Sequence, residues 1–332
     1  MPHTPPALLL DRCTTAELLS LDDCITAVSD AFAAHARGET LSPGLLHGDG
    51  VGGEYHIKAG GLRAPRAYYA CKVNSSFFHN RATNGLPNIQ GLILLYDATD
   101  GRPLAVIESG GITIKRTGAA TAVAAKYLAR SDARIATIVG AGLQAAIQLE
   151  ALTRVRSLEK VFVWSRDASK AAAFAAQQAE KLKIFVTPEA ALAVATRASD
   201  LIVTCTPAKR WLLGRDMVSP GAFVAAIGAD SPDKQELEPA LLAASAVFTD
   251  LTEQCAHVGD LHHAIAAGLM RSTDVRGEIG HVIAGKIPGR RDGREIVVYD
   301  ATGTALQDVA AAALVYEKAR AQGRGTEFSF WG

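Results

Sequence analysis

Apolar residues recur at helical spacing between Thr15 and Ala34, where Leu18, Leu19, Ile25, Val28 and Phe32 gather on one face. The pattern then shortens. Residues 54–60, 67–74 and 90–96 read as strands, and a turn at Asp97–Gly101 leads into a further strand, Pro103–Glu108. Clusters of Gly, Pro and Asn at 43–53 and 80–88 read as turns or loops. No helix fits between these strands, so an antiparallel sheet is predicted.

From Arg116 the pattern changes. Arg116–Leu128 reads as an alanine-rich helix, and short apolar runs then alternate with helical stretches. Strands are predicted at Arg134–Val139, Lys160–Trp164, Ile184–Val186, Leu201–Thr204, Ala222–Ile227 and Ala246–Thr249. Helices are predicted from the turn after Val139 to about Val155 and from Ala168 to about Lys181, with a last one at Asp308–Ala321. Apolar strands separated by helices indicate βαβ units and a buried parallel sheet. The fold class is α/β, a Rossmann-type doubly wound parallel sheet plus a second, α+β domain with a mainly antiparallel sheet, joined near residue 116.

Composition narrows the function classes. The chain has 332 residues, 48% of them hydrophobic, which is enough to bury a sizeable core. Thirty-four Lys+Arg balance 34 Asp+Glu, so nothing in the net charge points to nucleic acid or an anionic membrane. Lys126 and Arg130 interrupt the longest alanine-rich stretch, and no membrane span is expected. The N-terminus shows no basic segment followed by an apolar core and cleavage site. The five cysteines form no CxxC pair, which fits a reducing, cytoplasmic setting and argues against a disulfide framework or zinc ribbon.

The sharpest motif is Gly140-Ala141-Gly142-Leu143-Gln144-Ala145, a GxGxxA turn after a strand and opening a helix. Gly140 permits the tight turn, Gly142 lets backbone approach a pyrophosphate, and Ala145 lets the helix pack on the strand. The helix N-terminus then offers free N–H groups to phosphate. At the end of the next strand, where NAD sites carry an acidic residue, the sequence reads Ser165-Arg166-Asp167, with Lys170 one turn on. A hydroxyl and a guanidinium suit a 2′-phosphate, so NADP is expected over NAD. Asp167 would reverse that choice if it reached the ribose, whereas capping the following helix would leave it standing.

Several segments resemble one known family. Lys72-Val73-Asn74, Gly85-Leu86-Pro87-Asn88-Ile89-Gln90-Gly91 and the run from Thr113 to Thr121 are similar to the ornithine cyclodeaminase/mu-crystallin family. The Gly140 turn, the run from Gly228 to Leu237, Gly259-Asp260, Gly277–Gly280, Gly285-Lys286 and Tyr299–Gly303 match as well, in the expected order over nearly the whole chain. The resemblance implies a homodimer with a Rossmann domain at 116–306. A substrate-binding and dimerisation domain would be built from 1–115 with 307–332. It makes Lys72 the substrate-side lysine, Arg116 the carboxylate-holding arginine and Asp230 the acid/base. Thr117, Gly140, Gly142, Leu143, Gln144, Gly228, Lys234 and Thr302 fall on the cofactor side, beside Ser165 and Arg166.

The residues suit these roles. Arg116 is read as opening a helix, where dipole and guanidinium fork both favour a carboxylate. Lys72 lies in an apolar strand, where an unpaired ammonium is costly, unless it faces water at an edge. Asp230 follows Ala222–Ile227 at the carboxyl end of a parallel sheet, a usual ligand position, although a cap or turn aspartate would sit there too.

The sequence also departs from the cyclodeaminases, which carry a glutamate in the strand before Lys72 and an arginine upstream. Here that strand reads Glu54-Tyr55-His56-Ile57-Lys58-Ala59-Gly60, and alternation puts His56, Lys58 and Gly60 on one face. His56 or Lys58 is therefore the site-facing group, with Glu54 as substitute if the register differs. The loop Leu41–Gly50 has no arginine, leaving Lys58 to supply that charge. This favours an NAD(P)H-dependent reductase of a cyclic or acyclic imino acid, formally an amino-acid dehydrogenase. A redox-neutral ornithine or lysine cyclodeaminase and a non-catalytic, mu-crystallin-like binding protein are the alternatives. No metal is expected at Cys255, His257, Asp260, His262 and His263, because adjacent histidines on a helix face different ways. Cys205 reads as a small buried hydrophobe.

Overall fold

The computed structural model describes residues 5–330. Residues 1–4, part of the N-terminal stretch read for a leader, and 331–332, the end of the segment assigned to the first domain, lie outside the described residues. The chain divides into two compact units, Met1–Arg116 with Thr304–Gly332, and Thr117–Gly303.

The first unit is built on β1 (Ala7–Leu10), β2 (Thr40–Gly50), β3 (Gly53–Leu62), β4 (Tyr68–Ser76), β5 (Ile89–Asp97) and β6 (Pro103–Glu108). A final strand, Thr326–Phe328, completes a seven-stranded sheet in which it is followed by β1, β6, β5, β4, β3 and β2. Pairing from β2 to β6 is antiparallel, and β1 runs parallel to β6. Strand alternation gives the sheet two different faces. Leu45, Lys58, Lys72, Ile93 and Ile107 form one cross-strand row, and Leu46, Ile57, Val73 and Leu92 form the neighbouring row on the opposite face. The C-terminal helix Ala305–Gln322 packs on β3 and β4 and against the helix Leu21–Ala36, and its alanines let it lie close.

The second unit holds β7 (Ile135–Val139), β8 (Lys160–Trp164), β9 (Phe185–Pro188), β10 (Leu201–Thr204), β11 (Lys209–Leu213), β12 (Phe223–Ala226), β13 (Gln235–Leu237), β14 (Ala246–Thr249), β15 (Gly277–Glu278) and β16 (Val297–Asp300). Eight of them form a parallel sheet in the order β15-β14-β16-β12-β10-β7-β8-β9, while β11 and β13 pair separately. β10, β12, β14 and β16 are buried along their whole length, as strands covered on both faces must be. The chain runs outward from β7 through β8 to β9, then returns to the other side of β7 as β10. The carboxyl ends of β7 and β10 therefore flank the point where the winding reverses.

Four sequence expectations need correction. Most of the 43–53 loop is β2, an edge strand whose Pro43 sits at a register shift between Leu41 and Gly44. Proline and glycine are tolerated there because only one edge of the strand needs partners. The helix expected at 15–34 is two helices, Arg12–Leu18 and Leu21–Ala36, because Ser20 accepts the Asp23 amide and starts the second. The 80–88 loop includes a one-turn helix, Asn80–Thr83. Arg116 does not open its helix. That helix runs Ser109–Leu128, so Arg116 lies about two turns inside it, beyond the reach of the N-terminal dipole.

Candidate active site

In the first unit, charge is concentrated under the C-terminal helix. Lys58 and Lys72 are cross-strand partners on the inward face, and both are buried. Like charges placed opposite each other repel. Asp308, on the helix above them, lies with Oδ2 2.6 Å from Lys72 Nζ. Arg116 Nε donates to Asp308 Oδ1 at 3.1 Å, and Nη1 donates to Gln307 Oε1 at 3.0 Å. No hydrogen bond among the described residues uses Arg116 Nη2. Burial pushes the Lys72 ammonium down to about 7, Asp308 opposes the fall, and Arg116 and Lys58 add to it. Burial alone would raise the Asp308 carboxyl, but Lys72, Arg116 and Lys58 together hold it below its ordinary value. Unpaired buried ions cost several kcal/mol each, so this arrangement persists only as a group.

The rim is polar. His56 is buried, and its Nε2 lies 3.1 Å from Glu54 Oε1. Its ring meets the His47 ring edge-on at 4.7 Å. Asn74, opposite His56, accepts from Ser109 Oγ at 2.6 Å and donates to Thr113 Oγ1 at 3.3 Å. Gly91 must be glycine for Asn74 to sit so, because a Cβ there would lie 2.2 Å from both Asn74 Oδ1 and the Val73 carbonyl.

In the second unit, Gly140 follows β7 with φ +134°, and a Cβ would press on Cys205 Sγ at 3.1 Å. Gly142 is the N-cap of the helix Leu143–Thr153 and provides no side-chain cap. Space around it is open, so the first-turn amides suit a diphosphate. Leu143 and Gln144 lead this helix, with Leu143 exposed, and Ala145 is buried against the sheet. A cavity of about 590 Å³ starts here. It is lined by Gly140, Ala141 and Gly142, by Trp164 at the end of β8 and Ser165 and Arg166 just after it, and by Cys205, Thr206, Pro207, Ala208, Lys209, Arg210 and Leu212. Asp167 accepts the Ser169 and Lys170 amides at 3.1 and 3.2 Å, which makes it a helix cap. The residues present therefore fit a dinucleotide. Thr117 directly follows Arg116 in the helix Ser109–Leu128.

The loop after β12 carries Gly228, Asp230 and Lys234. Asp230 Oδ1 accepts from Lys234 Nζ at 2.6 Å, an i,i+4 ion pair that fixes the carboxylate. The Gly228 amide is already committed, donating to Glu236 Oε2 at 2.7 Å. Glu236 Oε1 also accepts the Thr206 amide at 2.6 Å, tying the β10 loop to the β12 loop. Burial, with Asp260 nearby, pushes the Glu236 carboxyl up to about 7. Thr302 is buried, accepts from Gln254 Nε2 at 2.6 Å and donates to Asp250.

Two residues with evident roles were missed in the sequence. Asp308 shares a helix face with Ala312 and Val315, so a carboxylate on an apolar stripe was the available signal. Glu236 gave none beyond its place in a short strand. The remaining candidates are otherwise engaged. His257 Nδ1, His262 Nδ1 and His263 Nε2 each lie within hydrogen-bond distance of a backbone carbonyl. Burial pushes the Cys205 thiol up, away from nucleophilic use. Among the described residues no group of three or more His, Cys, Asp or Glu could hold a metal ion, and no helix is long and apolar enough to cross a membrane.

A parallel sheet with a glycine turn at its switch point, opening on a cavity that fits a dinucleotide, defines a Rossmann-type dinucleotide-binding protein. The model of the ornithine cyclodeaminase/mu-crystallin family matches residues 7–323, and the chain belongs to that family. An archaeal alanine dehydrogenase dimer with bound NAD superposes with TM-score 0.93 at 34% identity, covering 98% of this chain and 99% of that one. The Δ1-pyrroline-2-carboxylate reductase of Thermococcus litoralis, in complex with NADH and L-proline, gives 0.90 at 32% identity, covering 97% and 100%. The iminosuccinate reductase of Paracoccus denitrificans is 35% identical over 315 residues, 94% of this chain and 96% of that protein.

Proposed function

We propose that this protein is an NADPH-dependent reductase of a small imino acid, run in reverse as an amino-acid dehydrogenase. The observation that carries the reading is the convergence of Lys72 and Arg116 on one buried carboxylate, with guanidinium donors left for a ligand. The substrate carboxylate is held by Arg116 and Lys72, with Lys58 adding positive charge. His56 borders the substrate side chain. A nicotinamide cofactor, when bound, would supply hydride to the C=N carbon. Asp230 exchanges the accompanying proton with the substrate nitrogen or a water, held in place by Lys234. Positioning is the main contribution, since hydride transfer needs the two carbons close and aligned.

The test is NADPH oxidation with pyrroline-2-carboxylate, piperideine-2-carboxylate, and pyruvate or oxaloacetate plus ammonia. Turnover with at least one of them is expected. Ammonia release from ornithine or lysine without net NADPH consumption would instead mark a cyclodeaminase.

The NADP preference rests on Ser165 and Arg166 at the cavity wall, with Lys209 and Arg210 beside them and Asp167 occupied as a cap. In the double variant Ser165→Asp, Arg166→Ala, the NADPH over NADH preference in kcat/KM should fall at least about tenfold. An unchanged ratio would remove these residues from cofactor choice.

The homodimer reading rests on the outward row of the first sheet. Leu46 is 61% and Leu92 51% exposed, in line with Ile57 and Val73. A continuous apolar sheet face of this kind is an interface signature. The double variant Leu46→Glu, Leu92→Glu should sediment as a monomer while the wild type sediments as a dimer.

A further inference from the structure

The cation cluster gives Asp308 a role that the proposed reaction does not yet assign. Its carboxylate bridges the Lys72 ammonium at 2.6 Å and the Arg116 guanidinium at 3.1 Å, and its side chain is 1% exposed. The helix carrying it is packed on the sheet, so the carboxylate cannot swing away without moving the helix. Gln307, its neighbour, takes Arg116 Nη1, so two consecutive residues fix the plane of the guanidinium. Arg116 therefore presents its remaining edge in one orientation.

We propose that Asp308 is a positioning residue for the reaction: it holds the Lys72 and Arg116 side chains next to each other, aimed at the substrate carboxylate. This rests on the reading that Lys72 and Arg116 hold that carboxylate.

The charged groups around Asp308 make the idea testable by pH. Lys58 reaches it from β3, Lys72 from β4 and Arg116 from the helix Ser109–Leu128. Cys24 faces the cluster from the helix Leu21–Ala36, but burial pushes its thiol up to about 12, so it stays neutral. Of the groups acting on Lys72, burial, Arg116 and Lys58 all favour the neutral amine, and Asp308 opposes them. A depressed lysine loses its proton as pH rises through its folded value, here about 7. Carboxylate binding through Lys72 should therefore weaken above neutrality. Without the Asp308 charge that loss should begin at lower pH.

The experiment uses the full-length protein with NADPH and the best imino acid from the panel. Wild-type turnover is the prior condition, and its absence would count against the proposed reaction rather than against Asp308. In Asp308→Asn the falling limb of kcat/KM should move at least one pH unit to the acid side. At pH 7.5 KM should rise at least tenfold while kcat changes less than threefold. A limb that stays in place, or a loss confined to kcat, would overturn the proposal, since a merely structural defect shifts no pH limb. If Asp308→Asn does not fold, Asp308→Glu decides: it keeps the carboxylate charge, so its kcat/KM limb should stay within half a pH unit of the wild type, and a limb displaced a full unit to the acid side would overturn the proposal.

Discussion

Asp230→Asn should lower kcat by about a thousandfold, within the 10²–10⁴ range of a positioned acid/base, and leave the dissociation constant for NADPH within a factor of two. The substitution keeps size and shape. An amide oxygen can still accept from Lys234, whose Nζ lies 2.6 Å away, so the loop after β12 should hold its form. The amide cannot give or take a proton at the reacting nitrogen. Nearby acids offer no replacement, because Glu236 is tied to Thr206 and Gly228 and buried. Steady-state rates with NADPH and the imino acid, beside cofactor titration by fluorescence, check both halves. A variant turning over within threefold of the wild type would remove Asp230 from the chemistry.

The parts of the molecule that could be read from sequence share a physical cause. β8, β10, β14 and Pro103–Glu108 fall where the apolar runs place them, because strands buried on both faces, or alternating cleanly, need no distant information to recognise. The cap at Asp167 was legible for the same reason, since capping is a contact with the next turn. β2 was not legible, because glycine and proline read as breakers unless the strand is known to lie at an edge. The helix start at Ser109 was hidden by Gly110 and Gly111, which carry poor helix propensity. In the site, alternation placed His56 and Lys58 on one inward face with no help from tertiary structure. Asp308 is a different matter. It meets Arg116 across 192 residues of chain, and only the packed helix shows that the carboxylate and the cations belong together.

The second large effect concerns the substrate. If Arg116 and Lys72 grip a carboxylate, a ring imine lacking that group should be a very poor substrate even at high concentration. Charge-assisted hydrogen bonds are worth about 1.5–3 kcal/mol each. Losing a guanidinium contact and an ammonium contact together therefore predicts a fall of about 10²–10⁴ in kcat/KM. Leaving the cations without their anion also removes the orientation that aligns the C=N bond, which adds to the loss. One enzyme and one cofactor serve both rings, so folding and cofactor binding stay out of the comparison, and Arg116→Leu separates loss of the carboxylate grip from the intrinsic reactivity of the C=N bond.

That comparison is also the most direct measurement of the whole account: kcat/KM for 1-pyrroline against pyrroline-2-carboxylate (or the piperideine pair, if the larger ring is preferred), with saturating NADPH at pH 7. The account predicts that the carboxylated ring is favoured at least a hundredfold in the wild type, and that Arg116→Leu erases most of the advantage. Equal turnover of the two rings by the wild type would contradict it.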